Sequence, residues 1–213
     1  MQLMTLKNKG QFLLLVLFIL TLAITLTINA YPLYSWDISY LSIEDKTGLS
    51  KERLLINYHE LMKYLNHPLI NELKMSDFPV SESGAFHFYE VKRLFLINYV
   101  LMFITGIPAV SFVSSLWKSG RLWLIKHALA FTALVPIILV FFLLVAFDQV
   151  FVAFHHLMFN NDAWLFDPQT DPVIIALPEQ YFLHCFTLAV LLFEGFVLFL
   201  LIKSKQQLKK LRT

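Results

Sequence analysis

Residues 127–147 read HALAFTALVPIILVFFLLVAF, an apolar run without lysine, arginine, aspartate or glutamate. A helix needs about 20 residues to cross the roughly 30 Å hydrocarbon core of a bilayer, so this run is long enough to span. Two further runs, 10–36 and 94–117, also contain no charged residue, and 180–202 contains only Glu194. The sequence therefore predicts four membrane-spanning helices.

The composition supports this interpretation. Of 213 residues, 58% are hydrophobic and 15% are charged, whereas a soluble domain is usually about a quarter charged. This excludes one ordinary soluble domain and predicts an all-α membrane protein, with one membrane domain over 1–213. The expected spans are approximately 11–30, 94–117, 122–147 and 181–202.

A cleaved signal peptide is the competing interpretation of the first run, because Lys7 and Lys9 precede it. The apolar stretch is longer than the roughly 7–15 residues of a signal core, which favours a retained span. Cys185 is the single cysteine of the chain, and this excludes an intrachain disulfide.

The placement of basic residues predicts the orientation. Lysine and arginine collect at Lys118, Arg121, Lys126, Lys203, Lys205, Lys209, Lys210 and Arg212, whereas 148–180 contains neither residue type. Short cytoplasmic flanks are enriched in positive charge, so we expect both termini in the cytoplasm of a multi-pass cell-membrane protein. Segments 31–93 and 148–180 then form a small extracellular cap. Anionic membrane lipid, and not nucleic acid, explains the basic C-terminal tail.

The first cap segment contains a predicted amphipathic helix. From Ser50 to Asn66, residues such as Leu54, Tyr58 and Leu61 recur at helical spacing. Such a helix has one apolar face, which can pack on the other cap segment or lie on the membrane.

Histidines provide the candidate chemistry. His87 and Glu90 share a face if the helix of the second span extends back to them, and His155 or His156 can approach from beyond the third span. Two histidines can act as base and acid near neutral pH. The alternatives are that they only hydrogen-bond the cap, or that His87, Glu90 and one histidine of the doublet bind a metal. Adjacent histidines on a helix cannot both face one metal ion, which disfavours the metal site.

Other reactive patterns are missing or weak. The sequence has no Gly-x-Ser-x-Gly motif and no glycine-rich phosphate loop. His184 and Cys185 are helical neighbours that point apart, so Cys185 is interpreted as a packing residue. Glu194 lies within the fourth run, where we expect it to pair with Lys126 or to bond His127.

Two stretches resemble a known family. Residues 83–92, SGAFHFYEVK, look like the H-x-x-[DE]-V-K stretch before the second span of the Gram-positive lipoprotein intramolecular transacylases, although glutamate stands where aspartate is more usual. Residues 154–168, FHHLMFNNDAWLFDP, look like the family's F-H-x-[hydrophobic]-x-F…W…D-P stretch after the third span. The preceding Phe154 favours His155 over its neighbour as the matching histidine.

The resemblance implies a four-helix membrane acyltransferase whose extracellular cap carries His87 and His155 as the catalytic pair. Its substrate would be a diacylated lipoprotein with a free N-terminal cysteine, and its reaction would move the acyl chain of the sn-2 ester onto the α-amino group of that cysteine. The product is a lyso-form, N-acylated lipoprotein. No metal or organic cofactor is expected. Supporting or substrate-orienting candidates are His156, Glu90, Tyr58, Asn161, Asp162 and Trp164.

Two other functions stay open from the residues alone. A non-enzymatic membrane protein could use the cap to bind lipid, peptide or a partner protein. A metal-dependent membrane hydrolase would need stoichiometric metal at the histidines.

Overall fold

The computed structural model describes residues 5–211, so Arg212 of the basic tail lies outside the described residues. Within this range the chain is all-helical and contains no strand. The helices are α1 (Leu6–Ile28), α2 (Tyr31–Tyr40), α3 (Ile43–Thr47), α4 (Lys51–Asn66), α5 (Glu82–Lys118), α6 (Lys126–Thr132), α7 (Val135–Val145), α8 (Phe147–Met158), α9 (Val173–Ala176) and α10 (Glu179–Lys210), with a 3₁₀ helix at Leu122–Ile125.

Four stretches are long and apolar enough to cross a membrane, namely Leu6–Ile28, Glu82–Lys118, Leu122–Val145 and Glu179–Lys210. This confirms the predicted all-α class with four spans. The chain divides into two compact units. We call residues 5–28, 98–145 and 187–211 the span unit, and residues 29–97 and 146–186 the loop unit.

The span unit has an apolar core contributed by α1, α5, the 3₁₀ helix, α6 and α10. Its buried members are Leu15, Ile19, Ala109, Phe112, Leu116, Leu122, Ile125, Leu129, Ala133, Val197 and Leu201. Polar side chains connect the helices at two levels. Asn98 donates to the hydroxyl of Thr25 at 2.8 Å, and Gln207 accepts from the backbone N–H of Leu122 at 2.9 Å. The unit therefore combines apolar packing with a few hydrogen bonds between helices.

The third span is not the continuous helix that its apolar run suggests. A 3₁₀ helix leads into α6, which ends at Thr132, and α7 begins at Val135. Pro136 follows this break, and proline has no N–H to donate to the carbonyl four residues earlier. The helix is interrupted again at Ala146, where φ is −146°.

The expectation that Glu194 pairs with Lys126 or bonds His127 is wrong. Its Oε2 atom is buried and has no hydrogen-bond partner among residues 5–211, and neither Lys126 nor His127 forms an ion pair with it in that range. Sequence adjacency to the basic flank therefore did not predict its contacts.

In the loop unit, α4 begins and ends where its sequence pattern predicts. Ser50 is the N-cap, and its hydroxyl accepts from the backbone N–H of Arg53 at 3.4 Å. The apolar face is buried at Leu54, Tyr58 and Leu61, and the helix ends at Asn66. The amphipathic helix is confirmed, with its apolar face packed inside this unit.

Helix α5 starts at Glu82 and runs without a break into the second span. Its first turn lies close to the second loop, because Ser81 donates its backbone N–H to the carboxylate of Asp171 at 2.8 Å. A Cβ atom on Gly84 would collide with the same carboxylate. The absence of a side chain at Gly84 thus permits the close approach that fixes the beginning of α5 beside Asp171.

Candidate active site

His87 lies on the second turn of α5 and is buried, with 7% of its surface exposed. The rings of Phe159 and Phe166 meet it edge-on, with centroids 4.8 and 5.5 Å from that of the imidazole. Its Nδ1 atom is buried and has no hydrogen-bond partner in the described chain, 5–211. A buried imidazole nitrogen without a partner is available to a bound substrate.

His155 lies on the last turn of α8 and is also buried, with 9% exposed. Its Nδ1 atom is 2.7 Å from the backbone carbonyl oxygen of Phe151, one turn earlier. A carbonyl can only accept, so this bond assigns the proton of the neutral ring to Nδ1 and leaves the Nε2 lone pair free. Burial lowers the pKa of His155, and the bond to Phe151 opposes that effect.

The structure brings these two histidines together. Their ring centroids are 5.9 Å apart, with the ring planes inclined by 35°. Hydrogen bonds from catalytic groups to reacting atoms span about 2.6–3.2 Å, so two rings at this spacing can contact one ester group from two sides. Two positive charges so close in a buried site would repel, which favours at least one neutral ring.

A polar network positions the second ring. The side-chain amide of Asn161 donates to both carboxylate oxygens of Glu90, at 3.1 Å each. The backbone oxygen of Asn161 accepts from the indole N–H of Trp164 at 3.0 Å. Trp164 in turn stacks on His155, with centroids 4.7 Å apart and planes 29° apart. Glu90, Asn161 and Trp164 therefore form a chain of contacts that ends at the imidazole.

Three other predicted residues lie elsewhere or make weaker contacts. Tyr58 bonds Tyr181, with hydroxyl oxygens 2.8 Å apart, and stacks on Tyr34, so the described contacts do not bring it to the histidine pair. His156 is exposed and meets only the edge of Trp164 at 5.3 Å. Asp162 is exposed, and its backbone oxygen accepts from Leu165 in a turn.

The donor groups do not assemble into a metal site. Across residues 5–211 no group of three or more histidine, cysteine, aspartate or glutamate side chains is placed to hold an ion. Glu90, one of the three ligands considered from sequence, instead accepts the two hydrogen bonds from Asn161.

Comparison with known proteins gives the family. The family model of the lipoprotein intramolecular transacylase Lit matches residues 10–182. The chain belongs to the lipoprotein intramolecular transacylase family. No curated protein sequence matches it significantly.

A solved structure agrees with this assignment. The chain is similar to the membrane-integral lipoprotein intramolecular transacylase Lit of Bacillus cereus solved in meso, with 29% identity, a TM-score of 0.88, and coverage of 97% of this chain and 98% of that one. Structures of that protein with a histidine replaced by arginine or by alanine match at 28% identity and a TM-score of 0.79. The arginine variant is covered over 95% of its length and the alanine variant over 97%. The chain is thus an acyltransferase that acts on lipoprotein.

The structure of this transacylase also contains a histidine contact that sequence reasoning missed. The Nδ1 atom of His184 is 2.6 Å from Oδ1 of Asp37, and Asp37 is fully buried. The two residues are far apart in the chain, and Asp37 is the first charged residue after the run 10–36. No rule of sequence spacing predicts a contact between residues so far apart. The available signal was that an aspartate and a histidine each lie at the end of an apolar run.

Proposed function

We propose that this transacylase moves the acyl chain of the sn-2 ester of a diacylglyceryl-modified lipoprotein onto the α-amino group of its N-terminal cysteine. The observation that carries the proposal is the buried pair of His87 and His155, with ring centroids 5.9 Å apart. The pair offers one nitrogen to each end of the reaction, the amine that attacks and the ester that is opened.

The substrate itself makes a protein nucleophile unnecessary. The amine and the ester belong to one molecule, and well-oriented intramolecular reactions reach effective molarities of roughly 10⁵–10⁸ M. The enzyme then has to bring the two groups together, take a proton from nitrogen and give one to oxygen. Neither step requires a metal or an organic cofactor.

His155 is the better base. Its Nδ1 is occupied by the carbonyl of Phe151, so Nε2 presents the lone pair. Burial favours the neutral ring by lowering its pKa. An α-amino group has a reference pKa of about 7.7–8.0, so a substantial fraction is neutral near pH 7.5, and Nε2 can take the proton that the nitrogen loses as it attacks.

His87 is the better donor. In the step, the substrate nitrogen bonds to the carbonyl carbon, the carbonyl oxygen becomes an oxyanion, and a ring N–H of His87 donates to that oxygen. When the intermediate collapses, the bond from carbon to the glyceryl oxygen breaks. The proton taken by His155 passes to that oxygen, which leaves an amide and a free hydroxyl and restores both rings.

Aromatic side chains around the pair protect the reaction from water. Phe159, Phe166 and Trp164 contact one or both imidazoles. Because water attacking the same ester would release a free fatty acid, a water-poor site favours transfer to the amine. Asn161 and Glu90 act as positioning residues, because they hold the indole that stacks on His155.

The proposed orientation places both termini in the cytoplasm and the histidine pair at the extracellular face. The support is the asymmetry of basic residues, which are absent from 148–180. The test is labelling of single cysteines in a Cys185→Ser background. A cysteine at exposed Asn160 should react with an impermeant reagent in intact cells, and one at exposed Lys209 should react only after lysis.

The activity test uses purified protein and a synthetic diacylglyceryl-cysteinyl lipopeptide with a free amino terminus. Tandem mass spectrometry locates the acyl chain, because the rearrangement does not change the total mass. We expect the acyl group on nitrogen with the unmodified protein and on the glyceryl oxygen with His87→Ala. Free fatty acid as the main product would point to a hydrolase. Unchanged substrate with a folded protein would contradict the proposal.

A further inference from the structure

Asp171 lies at the end of the loop that follows His155, and it is buried, with 2% of its surface exposed. Its Oδ1 atom accepts the backbone N–H of Ser81 at 2.8 Å, and its Oδ2 atom accepts the hydroxyl of Thr170 at 2.8 Å. The main chain is held as well, because the N–H of Asp171 donates to the carbonyl of Asp167 at 2.8 Å. These three bonds fix the direction in which the carboxylate points.

The carboxylate contacts the beginning of α5. Ser81 precedes the helix, and its hydroxyl accepts the backbone N–H of Gly84 at 2.9 Å, as an N-cap does. A Cβ atom on Gly84 would lie 2.2 Å from Oδ1 of Asp171, so this oxygen occupies the place of the missing side chain. A negative charge at the N-terminus of a helix is also favourable. Asp171 thus binds α5 by a hydrogen bond, by charge and by direct contact.

Gly84 and the catalytic histidine share one face of α5. His87 follows Gly84 by three residues, so the two positions are neighbours on the helix surface, one turn apart. The same loop also reaches the imidazole, because Phe166 meets the ring of His87 edge-on with centroids 5.5 Å apart. The loop therefore contacts α5 at the imidazole and again one turn before it.

The other end of this loop begins at His155. The backbone N–H of Phe159 donates to the carbonyl of His155 at 2.8 Å, and the ring of Phe159 meets His87 edge-on. His155 and Asp171 are thus the two ends of one segment that packs along the first turns of α5. Because the carboxylate is fixed at one end of the segment, it sets the position of α5 relative to the histidine at the other end.

We propose that Asp171 is a positioning residue of the transacylase, whose carboxylate holds His87 in place opposite His155. In this role the carboxylate neither contacts the substrate nor transfers a proton. Its effect passes through α5 to the spacing of the two imidazoles, whose centroids are 5.9 Å apart. A misplacement of about 1 Å in a catalytic site can cost about 10²-fold in rate. The inference rests on the proposed function of the histidine pair, but the placement of His87 is measurable without turnover.

Variants of the two contacting residues test the proposal. Asp171→Ala removes the acceptor, whereas Gly84→Ala keeps it but adds a methyl group where Oδ1 lies. We expect each to lower kcat for acyl transfer about tenfold or more, with a smaller change in KM. In the double variant the methyl group enters the space that the carboxylate leaves, so kcat should fall no further than in Asp171→Ala alone. Asp171→Asn keeps an oxygen that accepts from Ser81 and should retain more activity than Asp171→Ala.

The second measurement does not depend on turnover. In protein labelled at the Cε1 carbons of its histidines, the NMR signal of His87 is assigned with His87→Gln. Two phenylalanine rings meet this imidazole edge-on, so its signal responds to small displacements. We expect the signal to move in Asp171→Ala and in Gly84→Ala, and to move less in Asp171→Asn. The signal of the exposed His67 should stay in place.

Two control variants match the substitutions. Asp45→Ala removes an exposed carboxylate on α3, and Gly195→Ala adds a methyl group to a helical glycine that faces open space. Both should leave kcat and the His87 signal unchanged. An unchanged kcat in folded Asp171→Ala, an unmoved His87 signal, or additive losses in the double variant would overturn the proposal.

Two further outcomes are also decisive. If Asp171→Ala does not fold, Gly84→Ala decides by the same criteria, because it retains the carboxylate and displaces it. If the unmodified protein transfers no acyl chain, the proposed function fails, and the His87 signal alone decides the role of Asp171. Failure of the reaction and failure of the positioning role are therefore distinguishable.

Discussion

His155 and His184 both lie in the loop unit; His155 is buried and His184 is partly buried. Each has its Nδ1 atom in a short hydrogen bond. The partner of His155 is the backbone carbonyl of Phe151 at 2.7 Å, whereas the partner of His184 is the buried carboxylate of Asp37 at 2.6 Å. A neutral acceptor fixes the tautomer without adding charge. A carboxylate acceptor adds a second charge-bearing side chain to the contact.

The difference teaches that the partner of Nδ1, more than burial, decides what the outer nitrogen can do. His155 presents a lone pair and suits proton abstraction. His184 is held by a carboxylate and faces away from the contacts of the histidine pair. A histidine opposite His155 completes the first site, since His87 lies 5.9 Å away. Beside His184, two exposed aromatic rings, Trp36 and Tyr40, take the corresponding place.

The largest expected effect is the loss of acyl transfer when His155 is replaced. We predict that His155→Ala lowers kcat for acyl transfer by about 10²–10⁴-fold, the usual contribution of general acid–base catalysis. Steady-state kinetics with the lipopeptide measures this change in kcat.

His67→Ala is the matched control, because this exposed histidine lies outside the contacts of His87 and His155. A fall of less than tenfold in His155→Ala, with His67→Ala unchanged, would remove the base role from His155.

A second prediction concerns the energy of the carboxylate contact. His184→Ala leaves the fully buried carboxylate of Asp37 without a partner, and we expect the free energy of unfolding to fall by about 1–3 kcal/mol. Asp37→Leu together with His184→Ala removes both polar groups and should recover most of that loss. Thermal unfolding in detergent measures both variants. Additive losses in the double variant would show that the pair contributes little coupling.

The sequence predicts one of these histidine environments far better than the other. The placement of His87 is predictable from an uninterrupted helix before span two, and that of His155 from a helix beyond span three. Helical spacing and the length of an apolar run are local properties of a sequence. The amphipathic α4 and its Ser50 cap are predictable for the same reason. The contact of Asp37 with His184 joins residues from opposite ends of the chain, and no local pattern encodes such a distance.

Local patterns also fail where two segments meet. The break in the third span lies before Pro136, and a hydropathy average over the run does not register it. The approach of Asp171 to Gly84 depends on two loops packing together. Tyr58 has the residue type of a site residue, yet its hydroxyl bonds Tyr181 and its ring stacks on Tyr34, and neither contact reaches the histidine pair.

A third prediction tests the network that holds the base. Asn161→Ala removes the hydrogen bonds to Glu90, which hold the backbone of Asn161 where it accepts from the indole of Trp164. We expect kcat to fall about tenfold, which corresponds to roughly 1.4 kcal/mol in the activation free energy. KM should change less. Asn161→Asp should be worse at neutral pH, because it places a carboxylate against Glu90. Asn160→Ala, at the exposed neighbouring position, is the control. Equal activity of the aspartate and alanine variants would contradict an electrostatic role of the contact.

The smallest effect is the pH response of His155. Burial lowers its pKa in the folded protein, whereas the unfolded side chain titrates near 6.5. Below about pH 6.5 the unfolded chain therefore binds a proton more readily than the folded one, so this group lowers the free energy of unfolding as pH falls through that window. NMR of isotope-labelled histidine, assigned with His155→Gln, should find a titration midpoint below 6.5 in the folded protein. A midpoint above 6.5 would mean that the hydrogen bond to Phe151 outweighs burial, which would contradict the assignment of His155 as a neutral base.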